Sequence, residues 1–248
     1  MGRMASPRNH GRLAVVVALA AMLAGASGAA AGEPKRYGDK ELFAGFEKTV
    51  FGLEYASSNG GAFYVKKYTG PVRVFVDNRA TRNRRAAVTG FIAETRRAIR
   101  GLDIAVVSKA EAANFHLYVV DRADYDRVVR SEVFGDRGAS SVGACMVRVR
   151  SDRNGIRTSS AVIVSDEGEF LFRRCLVEET LQGLGPLNDD RSLAHSVFND
   201  GSRLSRLTRH DRFVLNMLYH PSVRPGMSKA EARAVLPQVL EDVRRHLR

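Results

Sequence analysis

The stretch CLVEETLQGLGPLNDD, from Cys175 to Asp190, constrains this chain more than any other. It opens as a helix with apolar residues on nearly every side. It stops at Gly185-Pro186, where glycine can adopt the left-handed conformation that ends a helix and proline forbids its continuation. The rest of the fold has to be organised around such a helix. Within it, Glu178 and Gln182 are four residues apart and project from one face a turn apart, with Glu179 one step round the cylinder. The turn at Gly185-Pro186 lets Asn188 and Asp189 swing back toward that face.

This layout resembles the metal-binding helix of the zincin proteases, H-E-x-x-H, and its metzincin extension H-E-x-x-H-x-x-G-x-x-H. Laid on the chain, the ligand positions fall on Glu178, Gln182 and Asn188, the general base on Glu179 and the turn glycine on Gly185. The base and the glycine match, whereas every ligand histidine is replaced. The resemblance implies an α+β fold: a zincin-like mixed sheet with a crossover helix and a central motif helix, followed by a small helical C-terminal lobe. The pattern C-L-x-E-E-x-x-Q-x-L-G-P-L-N-D also resembles a family of exported bacterial proteins of unknown function, some described as lipoproteins. That second resemblance covers about Cys175 to Met227 and implies no particular activity.

Glu178, Gln182, Asn188 and Asp189 would offer a metal only oxygen atoms. Zinc prefers imidazole and thiolate, so calcium, magnesium or manganese would suit this set better than zinc. Two plainer readings stand beside a metal site. The polar residues could form a buried knot on a structural helix, or Glu178 could pair with Arg174, four residues earlier, as an exposed ion pair. In the loop HSVFNDG, His195 is the histidine near enough in sequence to replace a lost ligand, and Asn199 and Asp200 could approach as well. Met227, after Pro225-Gly226, falls where metzincins have a methionine turn.

The N-terminus reads as a leader, residues 1–31. Arg3, Arg8 and Arg12 precede the apolar run Leu13 to Leu23, which is too short for a comfortable membrane span, and Ala29-Ala30-Ala31 offers a cleavage site. The expectation is an exported protein, periplasmic or secreted, with no transmembrane segment once the leader is removed. The remaining residues, 32–248, then form a single domain with a sheet-containing lobe at 32–185 and a helical lobe at 186–248. In an oxidising compartment Cys145 and Cys175, the two cysteines of the chain, most simply form a disulfide, the alternative being two buried thiols. The formal charge of +12 favours anionic partners. Export and the lack of a recognisable motif argue against nucleic acid, leaving an anionic envelope component or a solvated basic surface.

Periodicity places helices at Asp39–Tyr55 and Arg84–Arg100, and a short helical piece at Tyr125–Ser131. Strands are expected at Phe63–Val65, Val72–Val76, Ile104–Val107 and Ala113–Val120, the last carrying His116. Ser57–Gly61 reads as a loop, and Gly135–Gly143 as a glycine-rich loop without the lysine of a phosphate-binding motif. Met146–Arg150 and Ile156–Val164 flank Ser151 to Gly155 as a hairpin whose amphipathic first strand suits a sheet edge. Asp166, three residues before Glu169, reads as the cap of the central helix. Capping boxes at Thr208/Asp211 and Ser228/Glu231 open two later helices, with Pro237 inside the last.

The leading expectation is a zincin-like protein that has lost its histidines and binds a peptide or envelope component beside the edge hairpin without cleaving it. A metal-dependent hydrolase with Glu179 as general base is the alternative, and a calcium-stabilised structural protein is a third.

Overall fold

The computed structural model of the chain describes residues 36–52, 63–135 and 143–247. The leader, the loop at 57–61 and most of the glycine-rich stretch lie outside the described residues. The protein is α+β. Helix α1 (Asp39–Val50) is followed by β1 (Val72–Asn78), α2 (Arg85–Ala98), β2 (Ile104–Val107) and β3 (Phe115–Val120). Then come α3 (Arg122–Val128), β4 (Cys145–Asp152), β5 (Gly155–Val164), α4 (Glu169–Gln182), α5 (Arg209–Leu218) and α6 (Lys229–His246). A π-helical turn, Val129–Phe134, extends α3.

The five strands form one mixed sheet in the order β2-β1-β3-β5-β4. β1 pairs in parallel with β2 and β3, and β3 in parallel with β5. Only β4 runs antiparallel, along the outer side of β5, because the two-residue turn Arg153-Asn154 folds it back as a hairpin.

Alternation along the strands divides the core. Val72, Val74, Val76, Ile104, Phe115, Leu117, Ala161 and Ile163 point to the face covered by α2 and α4, where Val88, Phe91, Ile92, Phe172, Leu176 and Leu181 complete the main core. On the opposite face Tyr118, Val120, Met146, Val162 and Val164 meet Tyr125, Val128, Val129 and Val133 from α3 and its π turn. The central strands are covered on both faces where the two layers overlap, which explains the unbroken apolar runs at the ends of β3 and β5.

α1 packs against α5 and α6, so the first described helix joins the C-terminal ones. It ends at Val50, earlier than its periodicity suggested, with the Phe51 N–H bonded to the Glu47 carbonyl. Phe63–Val65 forms no strand; Tyr64 makes a single antiparallel bridge to Ser228. Both later capping boxes are present, at Thr208/Asp211 and Ser228/Glu231, and α6 continues through Pro237 to His246. The cap expected at Asp166 is absent. Gly168 occupies the N-cap of α4, and the Asp166 carboxylate instead accepts the Arg122 N–H at 2.8 Å.

Candidate functional site

α4 runs directly from β5 across the sheet, and every residue from Cys175 to Gln182 is buried. Burial on all sides follows from its position between the sheet and the C-terminal segments, and it accounts for the helix's lack of a polar face. Cys175, midway along it, is bonded to Cys145 at the first position of β4, with a Cα–Cα distance of 5.7 Å. The expected disulfide is therefore present and ties the sheet edge to the motif helix.

The carbonyls at the end of α4 are satisfied by side chains. The Ser159 hydroxyl donates to the Gly183 carbonyl at 2.7 Å, and the Tyr219 hydroxyl to the Leu184 carbonyl at 2.9 Å. Gly185 then turns the chain at φ +136°, so close to the Lys66 carbonyl that an added Cβ would lie 2.2 Å from its oxygen. No other residue type fits there.

The turn brings the sequence-predicted residues into one neighbourhood but gives them different tasks. Glu178, Glu179 and Gln182 are buried on α4. The Gln182 side-chain amide donates to an Asp189 carboxylate oxygen at 3.2 Å. Asn188 turns away toward the end of α1, where its amide donates to the Lys48 carbonyl at 3.0 Å and its side chain packs on Gly52. A carboxylate oxygen from each of Glu178, Asp189 and Asp200 lies within 4.8 Å of the other two. His195 is not in this group; its ring lies 6.0 Å from that of Tyr37. Of the loop residues, Asp200 is the one whose carboxylate joins the group, and its only sequence signal was its place in a polar turn soon after the motif helix.

The residue underestimated from sequence is Arg174. Its guanidinium lies 3.0 Å from the Glu178 carboxylate, with side-chain exposures of only 11% and 7%. The expected exposed pair is thus a buried one. The loop after Phe198 folds over α4 and supplies the carbonyls of Asn199, Ser202 and Leu204 to the same guanidinium at 3.2, 3.3 and 3.4 Å. Asp200 approaches it at 3.8 Å. A buried charge needs such a complete set of partners, and Arg is the cation whose planar fork can collect them.

Tested against a zincin metal, this donor set does not fit. It contains no imidazole or thiolate, its oxygens would favour a hard cation, and two of its three carboxylates already face the guanidinium of Arg174. Among the described residues no helix is long and apolar enough to cross a membrane. A comparison with curated proteins returned no match. The family model described as a protein of unknown function, DUF2927, matches residues 39–238, which takes in the sheet, the motif helix, the acidic cluster and most of α6. On that match, the chain belongs to the DUF2927 family.

Proposed function

We propose that this chain is an exported, zincin-like binding protein whose metal centre has given way to an internal ion pair, and that it holds an extended peptide rather than cleaving it. The observation that carries this reading is Arg174, which brings a fixed positive charge to Glu178, the residue aligned with the first metal ligand, and to Asp200 beside it. A guanidinium can neutralise carboxylates, but it has no open coordination position on which water could be activated.

The sheet supports the same reading. β4 is an antiparallel edge strand beside the motif helix, and among the described residues it pairs only with β5. The opposite edge of β4 could take an added strand through main-chain hydrogen bonds. The Cys145–Cys175 disulfide holds that edge against α4 and limits the ordering such binding requires. Met227, buried just before α6, occupies the place in chain order of a metzincin methionine turn.

The test combines metal analysis with peptide selection. Mature protein purified without chelator should contain no stoichiometric divalent metal by elemental mass spectrometry. Peptides selected from a random library should protect β4 amides from hydrogen exchange and remain uncut. Stoichiometric metal, together with peptide cleavage abolished by Glu179→Gln, would replace this reading with the hydrolase. Selected peptides that protect other surfaces and leave β4 unchanged would remove the edge-strand model.

A further inference from the structure

Away from the motif helix, the ends of α2, α5 and α6 enclose a cavity of about 620 Å³, within the size range of small-molecule sites. Arg100 and Gly101 come from the turn after α2, and Asn216, His220 and Pro221 from α5 and the turn that follows it. The last turns of α6 contribute Asp242, Val243, Arg245 and His246. Two guanidiniums and two imidazoles therefore face a single carboxylate.

That carboxylate is already engaged. Asp242 accepts from Gln238 at 3.3 Å, pairs with Arg245, and lies 3.3 Å from His220 Nε2. His220 Nδ1 accepts the Ser222 N–H at 3.2 Å, which leaves the proton of the neutral ring on Nε2, facing Asp242. The negative ends of two of the helices are also satisfied from within the fold. Lys67 donates to the Leu218 and His220 carbonyls at 3.0 and 3.1 Å, and the Asn216 amide caps the Ala98 carbonyl at 2.9 Å. Asn216 Oδ1 also accepts the Arg100 N–H at 2.9 Å, fixing the backbone from which that side chain extends. Among the described residues, the Arg100 guanidinium has no ion-pair or hydrogen-bond partner.

We infer that this cavity binds a small organic anion, a phosphomonoester or carboxylate. Its charged end would meet Arg100 with help from His246, and its apolar part would lie over Pro221 and Val243. An available guanidinium on a fixed backbone is suited to two-point recognition of a phosphate or carboxylate. The neutralised carboxylate and capped helix ends leave that charge to the ligand. Arg96 and Arg97, in the last turn of α2, add a positive approach. This site is independent of the motif helix, so it stands or falls separately from the peptide-binding reading.

The experiment is calorimetric titration of the full mature chain with phenyl phosphate, then with inorganic phosphate and benzoate, in parallel with Arg100→Gln. Arg100 is exposed, so the variant should fold, which its melting temperature and circular dichroism will verify. Saturable one-to-one binding of phenyl phosphate is expected, weaker for inorganic phosphate and reduced at least about tenfold by Arg100→Gln. A folded Arg100→Gln that binds as well as the parent would overturn the assignment, as would the absence of binding by all three anions at ~10 mM. Pro221→Glu, which places a carboxylate on the cavity wall at an exposed position, should abolish phenyl phosphate binding. If it binds normally, the cavity is not the site.

Discussion

Arg174 and Glu178 sit one helical turn apart on the motif helix and form an ion pair of 3.0 Å that the folded chain almost wholly encloses. Both groups have been taken out of water, so the pair is held together as much by the cost of separating it as by its own attraction. Arg174→Met should therefore cost about 3–5 kcal/mol, because Glu178 would remain buried without its guanidinium. Replacing both residues, as Arg174→Met with Glu178→Leu, should recover a large part of that loss. Chemical denaturation of the three variants checks this; if the double variant is no more stable than Arg174→Met alone, the pair is not the unit of stability. Arg174→Met should also take up calcium, visible as a calcium-dependent rise in Tm, because Glu178 and Asp200 then lose their guanidinium and the Asp189 carboxylate lies within reach of both. The parent protein should show no such rise.

The disulfide joins residues 30 apart and links the sheet edge to the centre of α4. In the chain-entropy model a loop of that size contributes about 3.5 kcal/mol by restricting the unfolded chain. Cys145→Ser with Cys175→Ser should lower the urea midpoint accordingly, with little change in far-ultraviolet circular dichroism. Hydrogen exchange should quicken first along β4, since the bond ends on that strand. If exchange instead quickens uniformly, the disulfide acts on global stability without fixing the edge.

What could be read from sequence was mostly local. The capping boxes at Thr208/Asp211 and Ser228/Glu231, the Arg153-Asn154 hairpin and the strand at Ile104–Val107 depend on residues within a few positions of one another. The features that define the candidate site depend on distant ones. Arg174 is buried because a loop some 28 residues later lends it carbonyls, and Asn188 is drawn aside by the Lys48 carbonyl, 140 residues earlier. Asp166 had the spacing of a cap, yet the N–H of Arg122 at the start of α3 takes its carboxylate. Nor could periodicity within α1 indicate that it packs with α5 and α6, because an amphipathic stripe marks a buried face without naming its neighbour.

Gly185 is the residue of the motif turn least able to change. Its φ of +136° is one that side chains rarely adopt, and a Cβ would collide with backbone that cannot rotate away. The collision would push the segment at Lys66 off the end of α4, so Gly185→Ala should destabilise the protein by more than about 3 kcal/mol, or prevent its folding. Gly90→Ala, on the open side of α2 where nothing lies within 4 Å, is the control and should be neutral or slightly stabilising. Equal expression and Tm for both variants would show that the turn can relax.

The alkaline limb of the stability curve should carry two opposing signals. Burial pushes the Lys67 ammonium down to about 8, even though it caps two carbonyls at the end of α5. Between that value and the ~10.4 of an unfolded lysine, the unfolded chain binds more protons, so stability should rise with pH across this window. Tyr68 and Tyr219 act in the other direction. Burial raises both phenols well above their ordinary range, so above about pH 10 the unfolded chain loses protons that the folded chain keeps, and stability should fall. The unfolding free energy should therefore pass through a maximum near pH 10. Lys67→Met should remove much of the rise, leaving the part due to Lys66, whose ammonium burial also lowers, and Tyr68→Phe should soften the fall while leaving the rise. Urea midpoints measured from pH 7 to pH 11.5 separate the two contributions; a parent curve that declines steadily across the range would show that Lys67 keeps its proton in the folded protein.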